Sequence, residues 1–321
     1  MKAAVVRDLG RPPVYDTLPE PVPEPGEVVV AMTAVALTPL ALGRASGTHY
    51  SSVTELPFVP GIDGVGRTPD GRRVYCALPR PPLGTLAERV PVSPVHTVPL
   101  PDTIDDATAA AAGNPGMSCW VPLTLLAPIR PGESVLVNGA TGTAGRMAVQ
   151  VAKHLGARSV VATGRDPVQL RALRELGADT LLPLGRPLDE LRSEVRKAAR
   201  EARIGVVLDY LWGPSGEAIL SALGGPDAPR GPARVRYVQV GSVTGPTITL
   251  AGSLLRSSGV EIVGTGLGSS SDADLVAGIG QFLRAFPSAG FRIEFETHPL
   301  SEVEQVWDRA RGGRRVVMTI P

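Results

Sequence analysis

The sequence of 321 residues predicts an α/β protein in which a β-rich, barrel-like domain precedes a doubly wound parallel sheet. Residues 1–100 combine clustered prolines with short alternating runs such as "EVVVAMTAVAL" and "RRVYCAL", which are typical of short strands separated by tight turns. From Ser134 onward, strand-like and helix-like segments alternate, as in a parallel sheet with crossover helices. The length suggests two domains.

Short apolar runs predict the strands of the parallel sheet. They lie at Val135–Asn138, Val160–Thr163, Gly205–Tyr210, Tyr237–Val240 and Glu261–Gly264. Helices are expected between these strands, including a charged helix at Pro187–Arg203. From about Leu267 the pattern predicts two helices and a final strand, "RRVVMTI".

A glycine-rich segment joins the first of these strands to a helix. Gly139, Gly142 and Gly145 follow "VLVN", and the apolar positions after them fit a helix that ends at Gly156. A helix N-terminus presents unpaired N–H groups and a positive dipole end, which suit a pyrophosphate. We therefore predict a dinucleotide-binding loop, with a plain structural turn as the alternative. The residues of this loop are Ala140, Thr141, Gly142, Thr143, Ala144 and Gly145.

The end of the second predicted strand indicates which dinucleotide is bound. A site selective for NAD usually has an acidic residue here, which holds the ribose 2′-hydroxyl. This chain has Gly164 and Arg165 instead, which leave room for a 2′-phosphate and offer it a charged, forked donor. Asp166 follows too late and fits the cap of the next helix. We predict NADP(H) as the cofactor; a solvated surface arginine is the alternative.

The composition excludes several classes of partner. Basic and acidic residues number 32 and 31, and the one local excess, "RARGGRR", fits a solvated turn better than a nucleic-acid patch. Two cysteines cannot form a disulfide framework or a zinc cluster. The start of the chain lacks an apolar signal region, and no segment approaches the about 20 apolar residues of a membrane span. We expect a cytoplasmic protein without nucleic-acid or membrane partners.

Motifs spread along nearly the whole chain match one known family. They are "MKAAVV", "PEPGEVVV", "LPFVPGIDGVG", "GMSCW", "RPGESVLVNGATGTAGRMAVQVAKHLGA", "LRELGAD" and "HPLSEVEQVW…RRVVMTI". With these motifs the chain resembles the medium-chain dehydrogenase/reductase superfamily, in its zinc-less quinone oxidoreductase and enoyl reductase branch. The resemblance implies a groes-like substrate and catalytic domain (1–115 plus 266–321) and a Rossmann NADP-binding domain (116–265). It also implies a substrate cleft between these domains and a homodimer.

Further cofactor contacts follow from the resemblance alone. Ser118 stands where the family often has a threonine near the nicotinamide ribose. Gly241-Ser242 match the turn that approaches the cofactor, and Thr265-Gly266 follow the last strand toward the nicotinamide. Leu37–Ala41 and Gly61-Ile62-Asp63 replace the cysteine and the His-Glu pair of the zinc-holding members. The four-cysteine structural lobe is also absent, so we expect no metal.

The segment expected to face the substrate departs from the family pattern. Zinc-less relatives often carry Asn-x-x-Asp where this chain has Thr38-Pro39-Leu40-Ala41, and the tyrosine of some enoyl reductases falls at Gly43. Nearby, Tyr50 and His49 remain as candidate catalytic donors of a proton or hydrogen bond. Each is alternatively an ordinary loop residue. The reaction can proceed without a side-chain donor, because NADPH carries the hydride and water can protonate an enolate.

The leading function is therefore an NADPH-dependent, zinc-independent reductase of an activated C=C (enone or enoyl) or of a quinone. The lost polar residues also motivate a non-catalytic NADPH-binding or sensing protein. A third hypothesis is an enzyme of specialised metabolism that reduces an unusual unsaturated or imine substrate. The first and third share the hydride chemistry, and the sequence alone does not separate them.

Overall fold

The chain folds as two units, each with its own main sheet. The computed structural model describes residues 1–52, 55–224 and 234–321. The first unit comprises Met1–Met117 with Ser271–Pro321, and the second comprises Ser118–Ser270. The boundaries expected from the sequence fall at 115/116 and 265/266. The roles expected of the two domains, substrate binding and nucleotide binding, stay predictions.

The strands are β1 (Lys2–Val5), β2 (Val14–Thr17), β3 (Val28–Leu37), β4 (Asp63–Arg67), β5 (Arg73–Ala77), β6 (Arg89–Val92), β7 (Thr97–Pro99), β8 (Ser134–Asn138), β9 (Val160–Gly164), β10 (Thr180–Pro183), β11 (Ile204–Asp209), β12 (Val235–Gln239), β13 (Val260–Gly264), β14 (Glu296–Pro299) and β15 (Val316–Thr319). The α-helices are α1 (Pro39–Ser46), α2 (Asp106–Val121), α3 (Thr143–His154), α4 (Pro167–Ala172), α5 (Leu188–Ala202), α6 (Gly213–Leu223), α7 (Gly252–Ser257), α8 (Asp272–Ala289) and α9 (Val303–Arg311).

The first unit is built on a largely antiparallel sheet. Its strands run in the order β14-β15-β3-β4-β5-β7, β6 also pairs with β3, and β1 pairs with β2. The long strand β3 holds β6 along Val28–Ala31 and β15 along Ala34–Leu37. The C-terminal strand thereby joins the sheet of the N-terminal segment. Its core buries large side chains, among them Met32, Leu86 and Trp307, and this burial supplies most of the driving force for folding.

Arg315 ties the C-terminal segment to helix α2. The buried Nε of Arg315 donates to the carbonyl oxygen of Ala111 at 2.9 Å, and one Nη group donates to Ala110 at 3.4 Å. Asp63 is buried in the same unit, and burial raises the pKa of its carboxyl to about 6, while the charge of Arg315 opposes that shift. Because a buried cation needs polar partners, these bonds fix helix α2 against the first unit's sheet.

The second unit contains a parallel sheet of six strands in the order β10-β9-β8-β11-β12-β13. This is the doubly wound order in which the strand sequence reverses beside the first strand. Strands β8 and β11 are buried along their whole lengths, as expected when helices cover both faces of a parallel sheet. The α/β fold class predicted from the sequence is confirmed.

The predicted strands of this sheet are all present, with ends shifted by up to two residues. The predicted helix at Pro187–Arg203 is α5, which Arg203 ends in the left-handed conformation with φ 52°. Strand β10 was not predicted. It pairs in parallel with β9 at Thr180–Pro183, and its four residues, bounded by turn formers, carry no periodic signal of their own.

Candidate functional site

The predicted dinucleotide-binding loop lies between a buried strand and the N-terminus of a helix. Strand β8 ends at Asn138, and helix α3 begins at Thr143 with Gly142 as its N-cap. Gly142 has no side chain to cap the helix, so the first backbone N–H groups of α3 are left for another acceptor. Gly142 is exposed, whereas Ala140 and Gly145 are buried. The junction therefore has the polarity and the opening that an anionic ligand needs.

The two glycines at this helix N-terminus have different surroundings. A Cβ on Gly145 would lie 2.3 Å from the carbonyl oxygen of Gly139 and 2.6 Å from the Cα of Ala140. A Cβ on Gly142 would meet no protein atom within 4 Å. Gly145 thus permits the helix to approach the strand end, and Gly142 keeps the space in front of the helix open. These are the two functions expected of such glycines.

A buried polar network lies beneath the loop. The Nδ2 of Asn138 donates to Oδ1 of Asp209 at 2.7 Å and to Oγ of Ser215 at 3.0 Å. The hydroxyl of Thr163 donates to Oδ1 of Asn138 at 2.7 Å and accepts from the N–H of Gly139 at 2.9 Å. Three neighbouring strands, β8, β9 and β11, are therefore linked at their carboxyl ends. In the sequence, this network is indicated only by the polar residue at or next to the end of each apolar run.

Asp209 is the centre of this network. Besides the Asn138 amide, Oδ1 accepts from the N–H groups of Leu211 and Trp212 at 2.9 and 3.0 Å, while Oδ2 accepts from the hydroxyl of Tyr237. Burial raises the pKa of Tyr237 well above its ordinary value, so its hydroxyl stays a donor at neutral pH. Trp212 has φ 58°, a left-handed conformation that is costly for a bulky residue. The Asp209 carboxylate holds this turn in place.

The residues expected to select the cofactor lie directly beside the loop. Gly164 ends strand β9, and a Cβ there would lie 2.4 Å from Cγ2 of Thr141. Arg165 is exposed and has no hydrogen bond or ion pair with any residue in the described part of the chain. Asp166 caps helix α4, accepting from the N–H groups of Val168 and Gln169 at 2.7 and 3.0 Å. The predicted cap is confirmed, and the Asp166 carboxylate is engaged by the backbone of helix α4.

Two further predicted turns lie at the same edge of the sheet. Gly241-Ser242 follow β12, where the N–H of Gly241 donates to the carbonyl oxygen of Asp209 at 3.1 Å. Thr265-Gly266 follow the neighbouring strand β13, and the N–H of Thr265 donates to Gln239 at 3.0 Å. The carboxyl edge of the parallel sheet therefore gathers the predicted loop, Gly164-Arg165 and both turns. Ligands of doubly wound sheets bind at this edge.

Ser118 lies in the second unit, on helix α2. It is half-buried, and its Oγ is 3.3 Å from the hydroxyl of Tyr210. Burial raises the pKa of Tyr210 well above its ordinary value, so the tyrosine is a neutral partner. Ser118 thus stands beside the residue that follows strand β11. A nicotinamide ribose contact at Ser118 stays a prediction.

The candidate donors His49 and Tyr50 belong to the first unit. Their rings lie side by side, with centroids 4.2 Å apart. The Nδ1 of His49 accepts from the N–H of Ser51 at 3.1 Å, and burial lowers the pKa of the imidazole, with the Arg44 charge adding to the shift. His49 is therefore neutral at pH 7, and its proton sits on Nε2. Tyr50 is 74% exposed.

The segment that replaces the family's Asn-x-x-Asp starts helix α1. Thr38 is buried and caps this helix, with its Oγ1 accepting from the N–H of Ala41 at 3.0 Å. Ala41 is buried and Leu40 is half-buried. This segment thus gives a largely apolar surface to its part of the first unit.

Residues 1–52, 55–224 and 234–321 offer neither a cluster of metal ligands nor a membrane-spanning helix. Within these ranges, no three histidine, cysteine, aspartate or glutamate side chains are placed to hold a metal ion. Cys76 and Cys119 are both buried and unpaired with each other. None of the described helices has the length and apolar character needed to cross a membrane.

The contrast between Gly142 and Gly145 predicts two separable effects. Gly145→Ala forces a Cβ into the backbone of the loop, so we expect a loss of about 1–3 kcal/mol in the free energy of unfolding together with weaker NADPH binding. Gly142→Ala meets open space, so the free energy of unfolding should stay within about 0.5 kcal/mol. Its Cβ occupies the space of the expected pyrophosphate, and NADPH should bind at least about tenfold more weakly.

Urea unfolding and fluorescence titration with NADPH measure the two effects. Gly156→Ala is unsuitable as a control because Gly156 has φ 89°, but Gly252→Ala, at the start of α7, has no Cβ contact closer than 3.5 Å. That control should change neither quantity. Unchanged NADPH binding by Gly142→Ala would contradict the assignment of the loop.

The chain is similar to known oxidoreductases along its length. The family model described as zinc-binding dehydrogenase matches residues 144–279. A probable NADPH-dependent quinone reductase of Emericella nidulans is 33% identical, and the alignment covers 99% of both chains. A quinone oxidoreductase of Rattus norvegicus is 32% identical over 52% of this chain and 54% of its own.

Solved structures have the same fold. The quinone oxidoreductase of Thermus thermophilus, determined alone and in complex with NADPH, is 28% identical, has a TM-score of 0.80 and matches 99% of this chain and 100% of its own. A mycobacterial quinone oxidoreductase gives a TM-score of 0.84 over 99% of both chains at 22% identity, which supports the fold alone. The chain belongs to the medium-chain dehydrogenase/reductase superfamily, within its quinone oxidoreductase-like family.

Proposed function

We propose that the protein is an NADPH-dependent reductase that transfers hydride to a quinone or to an activated C=C bond without a metal. The observation that carries this proposal is the carboxyl edge of the parallel sheet, where an open helix N-terminus meets Gly164-Arg165. The full-length relative in Emericella nidulans is named as an NADPH-dependent quinone reductase, which supports both the cofactor and the reaction class.

The choice of NADPH over NADH rests on the end of strand β9. The side chain of Arg165 has no partner within the described residues, and the first carboxylate after it, Asp166, is engaged by two backbone N–H groups. An arginine without an internal partner can meet a 2′-phosphate with two N–H donors. A ribose 2′-hydroxyl would lack the acidic acceptor that holds it in NAD-selective sites.

The residues of the chain would bind, orient and protonate rather than carry electrons. The dihydronicotinamide supplies the hydride when NADPH is bound. The loop Ala140–Gly145 would hold the pyrophosphate, Ser118 the nicotinamide ribose, and the turns Gly241-Ser242 and Thr265-Gly266 would orient the nicotinamide. Each of these roles is part of the proposal, supported by the position of these residues at or near one sheet edge.

Polarisation of the substrate carbonyl would fall to His49 or Tyr50. The Nε2–H of neutral His49 and the hydroxyl of exposed Tyr50 are both donors. A donor placed on a developing oxyanion contributes roughly 10²-fold or more in rate. Half-buried Leu40, in contrast, can only contact the apolar body of a conjugated substrate, and Ala41 is buried beneath the surface.

Zinc independence, the homodimer and the cytoplasmic location belong to the same proposal. The substituted positions Leu37–Ala41 and Gly61-Ile62-Asp63 support catalysis without zinc. The dimer follows from the family resemblance and the location from the composition of the chain, and both stay predictions. Exhaustive chelation should leave both folding and turnover unchanged.

The role of Arg165 predicts a change in cofactor preference. Arg165→Ala should weaken NADPH binding by about 1–3 kcal/mol, the range for a hydrogen bond to a charged group, and should leave NADH binding nearly unchanged. Titration of both cofactors by fluorescence measures this difference. Arg171→Ala, an exposed arginine of the same helix region, is the matched control and should change neither affinity. Equal weakening for both cofactors would refute the selecting role.

The reaction itself is tested with NADPH deuterated at C4 and a panel of enones, enoyl esters, quinones and imines. We expect deuterium in the reduced product of at least one conjugated acceptor. Tyr50→Phe and His49→Ala separate a side-chain donor from solvent, since loss of the acting donor should slow turnover roughly 10²-fold. Full turnover in both variants would remove the side-chain role and leave hydride transfer intact. Normal NADPH binding with no label in any product would favour the non-catalytic NADPH sensor instead.

A further inference from the structure

Arg44 is a half-buried arginine without an acidic partner in the described structure. It lies in the last turn of helix α1, and its Nε donates to the carbonyl oxygen and to Oγ of Ser51, each at 3.0 Å. Within the described residues, its Nη groups make no hydrogen bond and no ion pair. Burial lowers the pKa of this guanidinium. The protein therefore keeps a partly desolvated cation without an internal counter-ion, which costs free energy unless an external anion compensates.

Other arginines of the first unit are paired with carboxylates, unlike Arg44. Arg80 bonds Glu24 and Glu27, and Arg7 bonds Asp16. The nearest carboxylate along the chain, Glu55, is exposed and forms no ion pair with Arg44. His49, which also faces Ser51, has a lowered pKa and is neutral at pH 7. Arg44 is thus the local charge left for a ligand.

Arg44 lines a pocket of the first unit. The pocket encloses about 270 Å³ of empty space, including the part open to solvent, and its walls are Phe58–Gly61 and Pro81–Gly84. Arg44 is the one charged residue among the described residues that line it. The space open to the centre of a water-sized group is only about 20 Å³, so the pocket admits one small end of a molecule, such as a carboxylate, rather than its whole conjugated body.

The walls of the pocket are packed backbone to backbone. A Cβ on Gly84 would lie 2.4 Å from the carbonyl oxygens of Val59 and Pro60, and a Cβ on Gly61 would lie 2.5 Å from Oγ1 of Thr85. Prolines at 60, 79, 81 and 82 further restrict the lining segments. A pocket of this construction is largely pre-formed, which lowers the cost of binding.

The Nη end of the Arg44 guanidinium determines which ligand the pocket can bind. Because Nε is already bonded to Ser51, the guanidinium offers the pair of Nη groups at its end. Two parallel N–H donors match the two oxygens of a carboxylate. Four residues of the lining, at 60, 79, 81 and 82, are prolines without a backbone N–H to donate, whereas a phosphate dianion would need more than one fork to satisfy its oxygens.

We propose that Arg44 and this pocket form a carboxylate-binding subsite, so that the substrate is a conjugated carbonyl compound bearing a carboxylate. That the carboxylate belongs to a substrate rests on the proposed reductase function. The binding of a carboxylate in the pocket does not depend on that function. Arg44 itself lies within residues 38–50, the segment expected to face the substrate.

Binding without turnover tests the subsite directly. Isothermal titration of the full chain with benzoate, its neutral isostere benzamide and inorganic phosphate distinguishes charge from shape and carboxylate from phosphate. We expect benzoate to bind at least about tenfold more tightly than benzamide or phosphate. Arg44→Met should lose that advantage, and Arg44→Lys should keep part of it because an ammonium lacks the fork. Arg72→Met, an exposed arginine paired with Asp70, is the control and should bind as the unchanged protein does.

Several results would overturn the proposal. They are no benzoate binding by the unchanged protein, tighter binding of phosphate than of benzoate, and equal benzoate binding by Arg44→Met. If Arg44→Met has a lowered unfolding temperature, the comparison of Arg44→Lys with the unchanged protein decides instead, and equal affinity there refutes the fork.

Turnover separates this proposal from the reductase function. With 3-benzoylacrylic acid and its methyl ester as acceptors, the acid should have a KM at least about tenfold lower, and Arg44→Met should raise the KM of the acid alone, with little change in kcat. Arg44-dependent benzoate binding with no reduction of either acceptor would sustain the subsite and contradict the reductase. Reduction of both the acid and the ester with equal KM would sustain the reductase function and contradict the subsite.

Discussion

The carboxylate of Asp209 organises the edge of the parallel sheet on which the proposed chemistry depends. Its two oxygens take four donors from three places: the Asn138 amide, the N–H groups of Leu211 and Trp212, and the hydroxyl of Tyr237. Because the carboxylate is buried, each missing donor would cost free energy. The strand ends and the turn after β11 are therefore held in one arrangement, and through Thr163 the same network reaches Gly139, where the dinucleotide loop begins.

This constraint explains how the site can work with few catalytic side chains. In the proposed reaction the cofactor supplies the hydride, so the task of the protein is to hold two ligands in place. A fixed sheet edge would hold the cofactor. In the first unit, the proline-lined pocket with Arg44 would hold one end of the substrate, and would take over part of the role that the family pattern gives to the polar residues replaced at Thr38–Ala41.

Local patterns were enough to predict the strands, the strand–loop–helix junction and the cap at Asp166, since each depends on neighbouring residues. Strand β10 was missed because its four residues, of which only Leu182 is buried, carry too little periodicity. The Asp209 network was missed for a different reason: Asn138, Thr163 and Asp209 are far apart in the chain, and only the parallel register brings their side chains together. The Arg44 pocket likewise depends on segments whose proximity no spacing reveals.

Amide hydrogen exchange in Asp209→Asn, measured together with NADPH affinity, tests the central role of this carboxylate most directly. Tyr237→Phe is the comparison, since it removes one donor to Oδ2 and leaves the bonds from Leu211 and Trp212. In Asp209→Asn we predict at least about tenfold faster exchange at Gly139, Leu211 and Trp212 and weaker NADPH binding, with smaller changes in Tyr237→Phe. Exchange at these amides that matches the unchanged protein, with NADPH affinity retained, would contradict the role given to Asp209.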